Sequence, residues 1–191
     1  MAPLNTANPA LALLLQRRSH HRLATPGPDD LELAQILQAA LRVPDFGHLR
    51  PYRFMVARGS GLDRLGAAME RAAAAAGKPA ETVARSRRLP RRAPLVIVAV
   101  ATPRPDKTVP RFDQELCAGA TVLTMQLAAR ALGYSGIWRS GWLMYDRGLH
   151  RELGLGADDQ IVGFLYLGKP AVEAEPEAPA TPAPDHLVTW I

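Results

Sequence analysis

The chain has one cysteine, Cys117, and three lysines, Lys78, Lys107 and Lys169, in 191 residues. A single cysteine excludes an intrachain disulfide and a cysteine-built metal centre, and it fits a reducing, cytoplasmic setting. No G-x-G-x-x-G follows a strand-like run, and the P-loop, H-E-x-x-H and G-x-S-x-G patterns are missing. Hydrolase and kinase chemistry therefore lack their usual parts. His20 and His21 are adjacent while His48, His150 and His186 stand alone, so no metal is expected. The longest apolar stretch is interrupted by Gln126 and Arg130 and is marginal for a bilayer. The apolar run Leu11–Leu15 is followed, not preceded, by arginines, unlike a secretory leader. A soluble protein with no membrane partner is expected.

What is present fits one domain spanning residues 1–191, long enough to bury about 70% of its unfolded surface. Arg and Lys number 23 against 18 acidic residues, for a net charge of +5, and nearly all the basic residues are arginine. The guanidinium fork suits phosphate. In a chain this rich in Ala, Pro and Gly, biased composition explains the excess as readily, so the charge alone does not specify nucleic acid. Arg85, Arg87, Arg88, Arg91 and Arg92 form a dense run. Without interleaved aromatics it reads as a solvated helix end, and a nucleic-acid-binding module is the minority reading.

Periodicity organises the rest. Helices are expected over residues 10–18, from a cap at Asp29 or Asp30 to Arg42, over 62–76, over 80–89 and over 147–153. A long central helix should run from about Pro110 to Gly133, roughly 36 Å, apolar nearly all round and so buried nearly all round. Cys117 then reads as a small core residue, and Asp113 and Glu115 as complements to the helix dipole. Strands are expected over residues 52–57, 95–101, 136–140 and 159–168. That order gives an α+β (α/β sandwich) fold with a mixed central sheet flanked by helices. Residues 169–191 hold several prolines yet end in the apolar His186-Leu187-Val188-Thr189-Trp190-Ile191, a tail suited to lie against a second copy of the chain.

Two stretches carry chemistry. Arg17-Arg18-Ser19 places two guanidiniums and a hydroxyl within three residues, a good local set for a phosphate. Arg42-Val43-Pro44-Asp45 and Gly136-Ile137-Trp138-Arg139-Ser140-Gly141 accompany it. Together with RRAPLVIVAVA, VPRFDQELCAGATVLTMQLAARALGYSGIWRSG and DQIVGFLYLG, in that order along almost the whole chain, these resemble the flavin-dependent nitroreductase family, in particular its small single-domain branch.

The resemblance implies a nitroreductase-like fold and a homodimer with the central helix at its interface. It also implies one FMN at each end of that interface and a tail, residues 169–191, that crosses to wrap the partner. It implies that Arg17, Arg18 and Ser19 hold the FMN phosphate and ribityl chain, that Arg42 approaches the cofactor, and that Trp138, Arg139, Ser140 and Gly141 border the flavin ring. Backbone N–H groups of that loop would face the N5 and O4 edge, and Arg18 or Arg42 the N1 side. NAD(P)H would reduce the flavin by hydride transfer to N5. A nitroaromatic, quinone or similar small acceptor would then reoxidise it in a ping-pong cycle with no catalytic side chain. One position departs from the family: Phe46 stands where relatives carry a histidine that reaches the partner's FMN, with His48 two places later. A phenyl ring cannot donate a hydrogen bond, so either His48 takes over through a shifted loop or the pocket prefers flatter, apolar substrates. An FMN carrier or sensor with little turnover is therefore the alternative function.

Overall fold

The run Leu95–Ala101 is buried at every position, which requires cover on both faces of the sheet it belongs to. In the computed structural model, which describes residues 8–171 and 187–191, it is the inner strand β3. Helices precede and follow it: α1 (Pro9–Leu15), α2 (Asp30–Ala40), α3 (Ser60–Ala75), α4 (Ala80–Arg88), α5 (Arg111–Ala131) and α6 (Arg147–Glu152). The other strands are β1 (Leu23–Ala24), β2 (Tyr52–Arg58), β4 (Ser135–Arg139) and β5 (Gln160–Pro170). The sheet order is β1-β5-β3-β2, with β4 also on β5.

Period-two alternation sorts the side chains of the sheet. Val96, Val98, Val100, Phe164 and Tyr166 pack with Leu65 and Met69 of α3 and Leu149 of α6. Leu95, Ile97, Leu165 and Leu167 pack with Ile36 of α2 and Val122 and Met125 of α5. The result is the expected α/β/α sandwich. The expected mixed sheet is corrected: every strand pairing among the described residues is antiparallel. The cause is the number of helices between strands. The α3–α4 hairpin returns the chain to the end from which β2 left, so β3 runs back beside it, whereas one crossover helix would give a parallel neighbour. The single long helix α5 does carry β3 into a strand of the same direction, β4, but β5 lies between them.

Three boundaries differ from expectation. First, α1 stops at Leu15, so Arg17, Arg18 and Ser19 lie beyond the helix. Second, β1 pairs Leu23 and Ala24 with Pro170 and Lys169, so the first two residues of the expected tail finish β5; residues 172–186 of that tail lie outside the described residues. Third, α5 is not buried all round. Cys117, Ala118, Thr121, Val122, Met125 and Ala129 face inward, but Phe112, Leu116 and Leu123 are 66%, 55% and 43% exposed. Their spacing of four and seven places them on one stripe.

Asp29 caps α2 in a reciprocal box with Glu32: Glu32 N–H donates to Asp29 Oδ1 at 2.8 Å and Asp29 N–H to Glu32 Oε2 at 2.9 Å. Gly133, at φ 79°, turns the chain out of α5, with Tyr134 N–H donating to Ala129 O at 2.9 Å. The Tyr134 hydroxyl donates to Glu32 Oε2 at 2.7 Å. The start of β4 is thereby fastened to α2.

Candidate functional site

The two chemistry-bearing stretches meet at the start of β4. His20 N–H donates to Gly136 O at 3.1 Å. From α5, the buried Gln126 amide donates to the same Gly136 O at 3.0 Å and to Arg18 O at 3.4 Å. These tethers are why α1 ends early. Arg18 and His20 have their backbone groups engaged with α5 and β4, and residues 17–20 belong to no helix or strand. Arg17 Nη1 donates to Ser19 Oγ at 3.4 Å, and the Ser19 side chain is exposed.

Along β4, alternation separates neighbours. Trp138 pairs with Leu165, on the α5 side, and Arg139 with Phe164, on the α3 side. The indole of Trp138, a residue 39% exposed, donates from Nε1 to Val162 O at 3.1 Å and comes within 3.9 Å of where a Cβ on Gly119 of α5 would stand. Gly163 makes room for it, because a Cβ there would collide with the indole ring. The Arg18 and His20 backbone thus lies at the head of β4, two residues before Trp138. Arg139 does not join Trp138: its guanidinium lies 5.8 Å from the Tyr166 ring on the opposite face. Two adjacent strand residues cannot aim their side chains at one flat group, so only the Arg139 backbone can border what Trp138 faces. Ser140 and Gly141 are exposed in the loop that follows, with Gly141 at φ 138°, a conformation glycine favours.

Arg42, Phe46 and His48 occupy a different place. Arg42 is exposed just past α2, and Phe46, 70% exposed, and His48 lie in a 3₁₀ turn over Phe46–His48 near the start of α5. The Asp45 carboxylate shapes this turn, accepting from Leu49 N–H at 3.1 Å and Arg50 N–H at 2.8 Å. His48 and Arg50 are held at φ 52° and 47°. Such positive values in non-glycine residues are strained and concentrate at functional loops. Phe46 and Asp45 border a cavity of about 300 Å³ with Leu116 and Cys117 of α5. Burial holds the Cys117 thiol above its usual range, with Asp45 adding to it, which fits a core residue and not a nucleophile. Tyr52 stacks on Phe54 at 5.6 Å, and Trp142 lies on the α3 side with Lys78 at 4.8 Å from its ring.

Sequence reading missed Gln126, His20, Gly119 and Gly163. Gln126 carried a signal, as a polar interruption of an apolar helix, but its partners are distant in sequence. Replacing Gln126 with Leu keeps the volume and removes both tethers while Gly136 O keeps its bond from His20. The expected cost is about 1 kcal/mol of stability for the two hydrogen bonds lost, with flavin retention reduced. Thermal unfolding and flavin content of the purified variant check this, and wild-type values in both would remove Gln126 from the site.

A sequence model described as the nitroreductase family matches residues 14–169. The chain is 42% identical over 181 residues to "Putative NAD(P)H nitroreductase YdjA" of Escherichia coli (strain K12), covering 95% of this chain and 98% of that relative. A Haemophilus influenzae protein similarly named as an NAD(P)H nitroreductase is 33% identical over 183 residues, covering 95% and 99%. In fold, the chain is similar to a nitroreductase-like family protein from Bacillus cereus, with TM-score 0.82, 22% identity and coverage of 100% and 98%. It is also similar to a nitroreductase with bound FMN from Bacteroides fragilis, with TM-score 0.73, 20% identity and coverage of 96% and 99%. The family match over residues 14–169, with 42% identity to YdjA along 95% of the chain, places this protein in the nitroreductase family, on the branch that includes YdjA.

Proposed function

We propose that the protein is an FMN-dependent oxidoreductase that uses NAD(P)H to reduce nitroaromatics, quinones or similar electron-poor acceptors. The observation that carries this reading is the tethering of Arg17-Arg18-Ser19 to Gly136 at the head of the strand that bears Trp138. The residues fit FMN. Two guanidiniums and a hydroxyl offer charge-assisted hydrogen bonds to a phosphate, and farther along the strand a half-exposed indole offers a flat apolar wall. The relatives' names and the FMN-bound neighbour point to the same cofactor pair.

When bound, FMN supplies the two-electron transfer from NAD(P)H to the acceptor, the two reactants using the same space in turn. The protein's share is binding and electrostatics. Arg17 and Ser19 hold the phosphate, and Arg18 adds positive charge. Gln126 and His20 keep the segment in register with β4. Trp138 walls the ring, and the Ser140 and Gly141 backbone offers N–H donors without side-chain obstruction. Each two-electron reduction of the acceptor takes up one hydride and one proton, the proton drawn from solvent, so no side-chain nucleophile is required.

Arg42, Phe46 and His48 belong to the second copy's site in this reading. The exposed stripe Phe112, Leu116 and Leu123 meets its symmetry mate, and a homodimer brings the Asp45-shaped turn of one protomer to the FMN of its partner. The exposed apolar end, Leu187, Val188, Trp190 and Ile191, covers the partner subunit. The exposed Phe46 in place of a hydrogen-bonding side chain favours flat apolar acceptors. It is also the observation behind the second reading, a flavin carrier. Steady-state NADPH oxidation with a nitroaromatic separates the two: turnover well above the rate of free FMN is expected, and background rates with a full complement of flavin would leave only the carrier.

A further inference from the structure

The arginine run of α4 divides by direction. A Cβ at Gly66 would collide with the Arg87 carbonyl oxygen, so glycine there lets α4 lie directly on α3. From that position Arg87 pairs with Glu70 at 2.8 Å, and Arg91, past the helix end, with Asp63 at 2.6 Å, both acids on α3. Arg85 and Arg92 make no ion pair among the described residues, and with Arg139 they line a cavity of about 240 Å³ on the α3 side of the sheet. Trp142, Phe164 and Tyr166 form its aromatic wall, and among the described residues no Asp or Glu lines it.

This cavity is not on the face where Trp138 lies, and neither Trp138 nor Ser19 lines it. It lies across the sheet, reached by the alternate residue of β4. Arg139 Nε is buried there with no hydrogen-bond partner among the described residues. Burial, reinforced by Arg92 and Arg85, holds the Arg139 guanidinium below the usual arginine range. The Tyr166 phenol is pushed up to about 12, chiefly by burial, so it stays a neutral hydroxyl at physiological pH. Arg139 is half-buried, and a partly desolvated cation among like charges is costly; its orphaned buried Nε adds to the cost. An oxyanion offsets both at once.

We propose that this cavity is a second ligand site, separate from the flavin site, for a small organic anion. Its phosphate or carboxylate is held by Arg85, Arg92 and Arg139, and its flat apolar body rests against Trp142 and Phe164. Ser140 and Gly141, which belong to the loop bordering the flavin ring in our reading, also line it. A bound anion therefore touches the back of the loop that the cofactor touches from the front.

Titration calorimetry of the purified protein, with whatever flavin it carries, tests this with phenyl phosphate, benzoate and inorganic phosphate as probes. One phenyl phosphate or benzoate per chain is expected, with inorganic phosphate weaker for want of the aromatic body. The stronger of the two aromatic probes identifies the oxyanion. Affinity should fall about tenfold or more in R92Q and in R85E, the loss of one charged hydrogen bond or more, with flavin absorbance unchanged. Arg85 is exposed, so R85E keeps the test decisive if R92Q fails to fold. No heat with any of the three anions at millimolar concentration, equal affinity in wild type and variants, or displacement of FMN by the probe would each overturn the proposal. A protein that never held FMN would sink the proposed function and leave this titration readable.

Discussion

Replacing Arg17 and Ser19 together with alanine should yield a folded protein that purifies nearly colourless. The two side chains supply a charged fork and a hydroxyl to one phosphate. Charge-assisted hydrogen bonds of this kind contribute about 1.5–3 kcal/mol each, so losing both weakens FMN binding by about 10²–10⁴-fold. The fold itself loses little, because the Arg17 to Ser19 hydrogen bond is exposed and the tethers to Gly136 and Gln126 run through His20 and Arg18. In the absence of flavin, the variant and wild type should therefore melt alike. Added FMN should stabilise only the wild type, by an increment that grows with the logarithm of its concentration. Wild-type flavin occupancy in the double variant would show that the phosphate sits elsewhere.

An aspartate at Leu116 should convert a dimer into a monomer and, with it, empty the flavin site. Leu116 is the middle member of the stripe formed with Phe112 and Leu123. Burying each such side chain contributes about 1.5–3 kcal/mol. Across a two-fold axis one substitution acts twice and places unpaired charges in a desolvated interface. Because Leu116 points away from the sheet and is more than half exposed in the single chain, the chain's own core is left intact. Light scattering should report half the wild-type mass, and the absorbance of the same fraction should report loss of FMN, since in the proposed dimer Arg42 and the turn at Phe46–His48 come from the partner. A monomer that kept flavin at wild-type affinity would confine the site to one chain.

Much of this architecture was legible in the sequence because buried strands and amphipathic helices write their period directly. The seven apolar residues of Leu95–Ala101 form the inner strand, and the glycine after α5 marks the turn into β4. Direction was less accessible. Sheet polarity depends on how many helices return the chain between strands, which is why a mixed sheet was expected where α3 and α4 produce an antiparallel pair. The end of α1 was set by distant partners, Gly136 and Gln126, that no local propensity encodes. On α5, an apolar surface on every side hides which face meets the sheet and which stays exposed.

At the site, the sequence grouped Trp138 and Arg139 as neighbours of one ring, following the family pattern. Strand alternation divides them, sending the indole to the α5 face and the guanidinium to the α3 face. The five arginines of residues 85–92 likewise looked like one charged surface. Acidic partners on α3 take Arg87 and Arg91, and Arg85 and Arg92 turn toward Arg139. Charge runs give composition, and only packing gives each charge its direction.

The most direct test is the visible absorption spectrum of the freshly purified protein, recorded before and after anaerobic addition of NADPH. The account predicts flavin bands at one FMN per chain that bleach on addition of NADPH and return with a nitroaromatic acceptor. A colourless protein that takes up no added FMN would contradict it.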